Sequence, residues 1–331
     1  MKQTNDPKPK QSRSRQALVF WGGAAAIILA LLFLSFRSIA SGYFNSFVLR
    51  DETASSATAY FEGLLPSEEE QALLAPLQED WDSFRNSRLA DPVSVTAPDG
   101  AVLRGDFYDE GGSVTVIYLH HYGGGRTDDF LAGPFFAGLG CNLLLPDARN
   151  HGESGGEYSG FGALEAEDLL CWLDWIEQNL DGQPVILYGS GMGAVTALLA
   201  AEGGLPDNVA FLVAESPYST LDDIADHLLM QSYKVPSFLV YPLMQWELAQ
   251  SGAGYTTRQV DVTHLSSATL PVLFLMGTEN THVPPEETQS VYDAYPGQKE
   301  LISCPAGFSA VYAAAREDTE EQITAWFEQL V

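Results

Sequence analysis

Short runs that are apolar on both parities constrain this chain most. Residues 114–119, 142–145, 185–188, 209–214, 272–276 and 301–304 are such runs, and each ends at a glycine, a proline or a polar residue. A strand with one wet face alternates apolar and polar residues. A strand that is apolar throughout is covered on both faces, as in a parallel sheet flanked by helices. Helical spacing appears between the runs. Leu169, Trp172, Leu173, Ile176 and Leu180 share one face of a helix over 163–180, and helices are also expected over 194–201 and 319–330. Strand and helix in alternation predict an α/β fold with an open parallel sheet. Residues 93–97 and 101–107 alternate around Pro98-Asp99-Gly100, which predicts a hairpin before the sheet proper. The stretch 221–263 has aromatic and Met residues but no strand pattern, and reads as a helical insertion over the strand ends. There is no internal repeat and no low-complexity tract. Hydrophobic residues make up 46% of the 331 positions, enough to fill a large core and to exclude a disordered chain.

The N-terminus has a different character. Residues 17–36 carry no charge, long enough at about 1.5 Å per residue to cross a hydrocarbon core of about 30 Å. Lys2, Lys8, Lys10, Arg13 and Arg15 precede the run, so the positive-inside rule puts residues 1–16 in the cytoplasm and the body outside. Ser38-Ile39-Ala40 has the small residues of a signal-peptide cleavage site, but the apolar run is longer than a signal peptide's and favours a retained anchor. The expected division is a basic tail over 1–16, a membrane span over 17–36, a helical stalk or packing segment over 37–91, and a folded domain over 92–331. Within the stalk, Leu73, Leu74, Leu77, Trp81 and Phe84 form an apolar face, and Pro66-Ser67 before Glu68, Glu69 and Glu70 marks a helix start. The acid runs at 68–70 and 317–321 read as solvated helix faces.

Net charge is −28, although the first fifty residues are basic. Such an acidic body repels nucleic acid, whose binding begins with phosphate neutralisation. The membrane, reached through the N-terminal helix, is the expected partner, together with a small apolar ligand or a protein. Cys141, Cys171 and Cys304 are an odd set without metal-ligand spacing, expected as buried small side chains. His120, His121 and His282 are weighed as a metal site and set aside, because vicinal histidines point to opposite faces of a strand. No cofactor is expected.

In such sheets, chemistry belongs to the loops at the C-terminal strand ends. Those loops hold His120-His121-Tyr122-Gly123-Gly124, then Asp147-Ala148-Arg149-Asn150-His151-Gly152-Glu153-Ser154, then Gly189-Ser190-Gly191-Met192-Gly193 leading into a helix. Glu215-Ser216-Pro217-Tyr218, the run Leu270-Pro271 to Met276-Gly277, and Val283-Pro284 follow. From about residue 93 to the end, this order resembles the α/β-hydrolase superfamily. Within it, the chain is similar to membrane-anchored or secreted bacterial serine hydrolases of the esterase and lysophospholipase type. The resemblance implies a mostly parallel sheet with helices on both faces, a cap insertion, and a catalytic triad on a strand–turn–helix elbow.

The residues at the triad positions are not those of a serine hydrolase. Aligned on Gly189 and Gly193, the elbow puts Gly191 where the nucleophile belongs. Counting back from Val283-Pro284 puts Asn280 at the acid, and Phe308, after Ala306-Gly307, at the base. Glycine has no nucleophilic atom and phenylalanine no ionisable group, so the covalent mechanism loses both partners. The family's oxyanion donors correspond to the backbone amides of Tyr122 and Met192. The expected function is therefore a pseudo-hydrolase that binds a ligand or a partner. The alternative is an active esterase-like hydrolase working through displaced residues, with Ser190, His121 and His282 as candidates. A purely structural protein, its pocket filled by Phe308, is the third possibility; absence of a cavity beside Gly191 would favour it.

Overall fold

The computed structural model describes residues 11–49, 65–126, 128, 130–234 and 236–330. The first ten residues of the expected basic tail, and the part of the stalk over 50–64, lie outside the described residues. So do the side chains of 11–16, of Tyr43, of Ser46 and of 231–233.

The chain begins with a helix, α1 (Gln11–Tyr43), which ends in a wider turn over Phe44–Val48. Within α1, Ala17–Gly42 is long and apolar enough to cross a membrane, with a mean hydropathy of 2.5. Helix α2 (Glu68–Ser87) starts where the sequence places it. The Ser67 hydroxyl accepts from the Glu70 amide, and the Glu70 carboxylate accepts from the Ser67 amide. Leu74, Leu77, Trp81 and Phe84 are its buried face.

A mixed, mostly parallel sheet follows: β1 (Asp91–Thr96), β2 (Val102–Tyr108), β3 (Thr115–Leu119), β4 (Asn142–Pro146), β5 (Val185–Ser190), β6 (Val209–Glu215), β7 (Val272–Gly277) and β8 (Lys299–Cys304). The spatial order is β1-β2-β4-β3-β5-β6-β7-β8. The hairpin β1–β2 joins β4 antiparallel, and every pair from β4 to β8 is parallel. The sheet is thus parallel only from β4 onward, with the predicted hairpin forming its antiparallel edge. All residues of β3, β4, β5 and β7 are buried, as runs apolar on both parities require.

Helices cover both faces. The short α3 (Gly133–Gly138) joins α2 in packing over Trp81, Phe130 and Phe136. The helices α4 (Ala163–Asn179) and α5 (Met192–Gly203) pack through Leu169, Trp172, Val195 and Leu198. Between β6 and β7 the chain forms α6 (Leu221–Tyr233) and α7 (Ser237–Ser251), the helical insertion expected there. After β7 come α8 (Pro285–Ala294), α9 (Val311–Ala314) and α10 (Arg316–Phe327). All three cysteines are free; Cys141 and Cys304 are buried, Cys171 partly so.

The end of α1 lies along α7. The Arg37 guanidinium sits 5.6 Å from the Trp246 ring centre, and the Ser41 hydroxyl donates to the Glu247 carboxylate. The aromatics of the insertion do not act together, as packing or pocket residues would. Tyr241 lines a cavity, whereas Phe238 is 71% exposed and Trp246 51% exposed.

Candidate functional site

The loops at the C-terminal ends of β3, β5, β7 and β8 converge on Gly191. This residue joins β5 to α5 with φ +52° and ψ −111°, a conformation that side chains rarely tolerate. Gly193 in the next turn has no room for a Cβ, which would strike the Leu119 carbonyl at the end of β3. The elbow is therefore jammed against its neighbouring strand, and its tip is position 191. A Cβ built on Gly191 would lie 3.0 Å from Phe308 Cζ and 3.5 Å from His121 Cβ.

Phe308 follows β8 in a single turn, Phe308–Ala310. Its ring meets His121 edge-on at 5.5 Å and His282 edge-on at 5.4 Å. The turn is pinned from far away in sequence. The Gly307 amide donates to Glu70 Oε1 at 2.5 Å, so the carboxylate that caps α2 also holds the Phe308 loop. Burial pushes the Glu70 carboxyl up, but the amides of Ser67 and Gly307 outweigh it and hold the group below its ordinary value. Glu70 is thus a clamp rather than part of a solvated face.

Asn280 is buried in the loop after β7. Its Oδ1 accepts from the amides of His282 and Val283 at 3.0 and 2.9 Å, and its Nδ2 donates to Ser216 Oγ at 3.2 Å. The carboxamide shapes its own loop. Burial holds the His121 imidazole down at about 4. Burial, with lesser repulsion from His121 and His227, holds His282 at about 3. Both rings are neutral across the physiological range.

The loop after β3 is locked by two other histidines. His120 Nε2 accepts from the Ala148 amide at 2.9 Å, and His151 Nε2 accepts from the Gly123 amide at 3.0 Å. Each ring's Nδ1 faces a backbone carbonyl, so both carry the proton on Nδ1. Asp147 accepts from the amides of Arg126 and Glu153 and pairs with the Arg126 guanidinium. His120 and His121 point apart, one into the loop lock and one toward Gly191.

Two cavities meet at this point. The first encloses about 910 Å³ of empty space counted out to its mouth. Its lining is almost wholly apolar and includes Gly191, Tyr122, Met192, His282 and Phe308 from the loops, and Leu221, Ile224, Tyr241 and Leu248 from α6 and α7. Phe44, Phe47 and Val48, just past α1, complete its wall. The second, of about 1110 Å³, lies toward α2 and is lined by Ser190, Tyr188 and Glu215. His121 and Phe308 border both. The structure therefore brings Gly191, Phe308, His121 and His282 together, with Tyr122 and Met192 beside them. It puts Ser190 in the second cavity, apart from His282. Ser190 Oγ makes no hydrogen bond among the described residues.

The alpha/beta hydrolase family matches residues 116–323. The chain belongs to that family. It is 31% identical over 178 residues to YqkD of Bacillus subtilis, an uncharacterized protein, covering 53% of this chain and 58% of that one. It is 25% identical over 195 residues to the lysophosphatidylserine lipase ABHD12 of Danio rerio, covering 56% and 48%. The chain thus spans about half the length of these two relatives. Among solved structures, the Pyrococcus furiosus esterase Pf2001 superposes with a TM-score of 0.60 at 24% identity, covering 74% of this chain and 94% of the esterase. That superposition speaks to the fold.

Three contributors escape a reading of the sequence. Phe44, Phe47 and Val48 pass for spacer after the apolar run, although their spacing of three and four is an apolar helical face. Glu70 reads as a helix-start acid. Glu215 belongs to a quoted motif, and its position at the end of a strand was the available signal.

Proposed function

We propose that this chain is a membrane-anchored alpha/beta hydrolase-fold protein without serine-hydrolase chemistry, and that it binds an apolar ligand in the cavity beneath α6 and α7. One observation carries this. At the elbow tip there is no side chain, and the Phe308 ring fills the direction in which a nucleophile would project. The positions of nucleophile and base are Gly191 and Phe308, with Asn280 at the acid. None of these can activate a hydroxyl. The amides of Tyr122 and Met192 are the candidate oxyanion donors left without a reaction to serve. The open cavity beside Gly191 favours ligand binding over a purely structural protein. α1 serves as the anchor, with the basic N-terminus in the cytoplasm and the body outside. The exposed Phe238 and Trp246, on the helix that packs along α1, lie at the bilayer surface.

The test is fluorophosphonate labelling of the full chain in detergent micelles, with titration of an apolar fluorescent probe such as N-phenyl-1-naphthylamine. The expected result is no label and saturable probe binding, while Gly191→Ser/Asn280→Asp/Phe308→His becomes labelled. Labelling of the unaltered chain would overturn the proposal. An active hydrolase using displaced residues is the second possibility, favoured by Ser190 and His121 bordering one cavity. It requires a label on Ser190 that Ser190→Ala removes.

A further inference from the structure

We propose that the second cavity is a binding site for a small organic cation of the alkylammonium or quaternary-ammonium class, held between the Glu215 carboxylate and the surrounding tyrosine rings, with the Ser190 hydroxyl beside it. This site is separate from the apolar cavity and does not depend on what that cavity binds.

The floor of the site is set by strand register. Parallel pairing of β5 and β6 puts Ser190 directly opposite Glu215 at the ends of the two strands. Glu215 is only 8% exposed, and its Oε2 accepts from the Tyr188 hydroxyl at 2.8 Å. The titratable groups facing it are Tyr188, Tyr312 and the Cys304 thiol, all neutral near pH 7. No Lys or Arg lines the cavity among the described residues, so this buried carboxyl has no countercharge. Ser190 is 6% exposed, lines the same space, and has a hydroxyl without a hydrogen-bond partner among the described residues. The walls are aromatic and continuous. Tyr118 stacks on Phe130 at 4.3 Å, Phe130 meets Tyr188 at 5.2 Å, and Tyr188 meets Tyr312 at 6.5 Å. Asp128 adds a second carboxylate to the lining.

This combination selects its ligand chemically. Burial leaves the Glu215 carboxyl poised at about 7, ready to ionise when a cation arrives. An anion finds two carboxylates, Glu215 and Asp128, and no Lys or Arg among the described lining residues. A hard metal ion needs about six oxygen ligands, and no group of three or more metal-ligating side chains gathers among the described residues. An ammonium or tetraalkylammonium is weakly hydrated, matches aromatic walls, and is neutralised by one carboxylate. The −28 net charge concentrates such cations around the chain.

The experiment is calorimetric titration of the full chain, in uncharged maltoside micelles, with tetramethylammonium and choline chlorides. Sodium chloride at equal ionic strength is the control. Saturable binding at one site is expected at pH 8. It should weaken about tenfold at pH 6, where a carboxyl titrating near 7 is mostly protonated while His121 stays neutral. Glu215→Gln should lose at least tenfold in affinity and all of the pH dependence. Ser190→Lys, which brings its own ammonium to Glu215, should abolish binding, and it decides the question if Glu215→Gln does not fold. No saturable binding to the unaltered chain, or equal affinity in the folded variants, overturns the proposal. Labelling and apolar-probe binding are separate readouts, so failure here leaves the proposed function standing.

Discussion

A side chain at position 191 should be tolerated only when position 308 shrinks. Gly191→Ser introduces a Cβ 3.0 Å from Phe308 Cζ, on a backbone at φ +52°. The backbone conformation costs about 1–3 kcal/mol for a residue with a side chain. Forcing the Phe308 ring aside costs a further ~1–3 kcal/mol, typical of overpacking. The single substitution should therefore destabilise by about 2–6 kcal/mol. In a Phe308→His background the smaller ring lacks the offending atom, and only the backbone cost remains. The two substitutions should thus couple favourably by about 1–3 kcal/mol, well above the scatter of independent sites. The assay is a double-mutant cycle on thermal unfolding in micelles, where each kcal/mol moves the midpoint by roughly 2–4 °C. A melt of Gly191→Ser/Phe308→His that equals the sum of the singles would refute the reasoning. It would mean that Phe308 does not occupy the space in front of the elbow.

Other outcomes follow from the same structure. Arg149 is buried with Asp168, joined by hydrogen bonds of 2.7 and 2.6 Å, so Arg149→Ala leaves a lone buried carboxyl. It should destabilise by about 3–5 kcal/mol, measured as a fall in the thermal midpoint. The pKa values of His120, His121 and His282 are depressed to about 4, 4 and 3, so they favour the fold above pH 6.5 and lose that contribution as pH falls toward those values. Glu215, raised to about 7, acts with the opposite sign and destabilises the fold as pH rises from about 4.5 to 7. The thermal midpoint should therefore drop between pH 6.5 and 4. Glu215→Gln should raise it above pH 7 and steepen the acid loss; an unchanged pH profile would contradict both assignments. A spin label on Phe238→Cys in bilayer discs should report membrane-depth oxygen accessibility, and a label freely reached by aqueous nickel would place α7 away from lipid.

The sheet was legible because its strands are apolar on both parities, which few other arrangements permit. The sequence sets the elbow register on Gly189 and Gly193, and in the fold Gly193 admits no side chain beside the Leu119 carbonyl. The antiparallel edge was half legible: Pro98-Asp99-Gly100 marks the hairpin, but nothing local says that β2 joins β4. Side-chain roles set by distant partners were hidden. Glu70 satisfies a helix start on its own, and its bond to Gly307 spans most of the chain. The exposure of Phe238 and Trp246 was not legible, because helical periodicity sorts residues only into core and water, whereas a chain anchored as proposed meets a third environment. Ser190 was legible as a candidate side chain, but the sequence did not disclose the chamber it faces.

Phe44, Phe47 and Val48 join the end of α1 to the apolar cavity, so that under the proposed function anchor and binding site are one object. Proteolytic cleavage after Val48 would carry off these side chains and open the cavity further. Severing the tether would thus be a change of state as well as of address: the shed body would present Tyr122, Met192 and Leu248 to solvent and hold an apolar guest less firmly. If α1 is the anchor proposed above, release from the membrane lowers the affinity for such a guest.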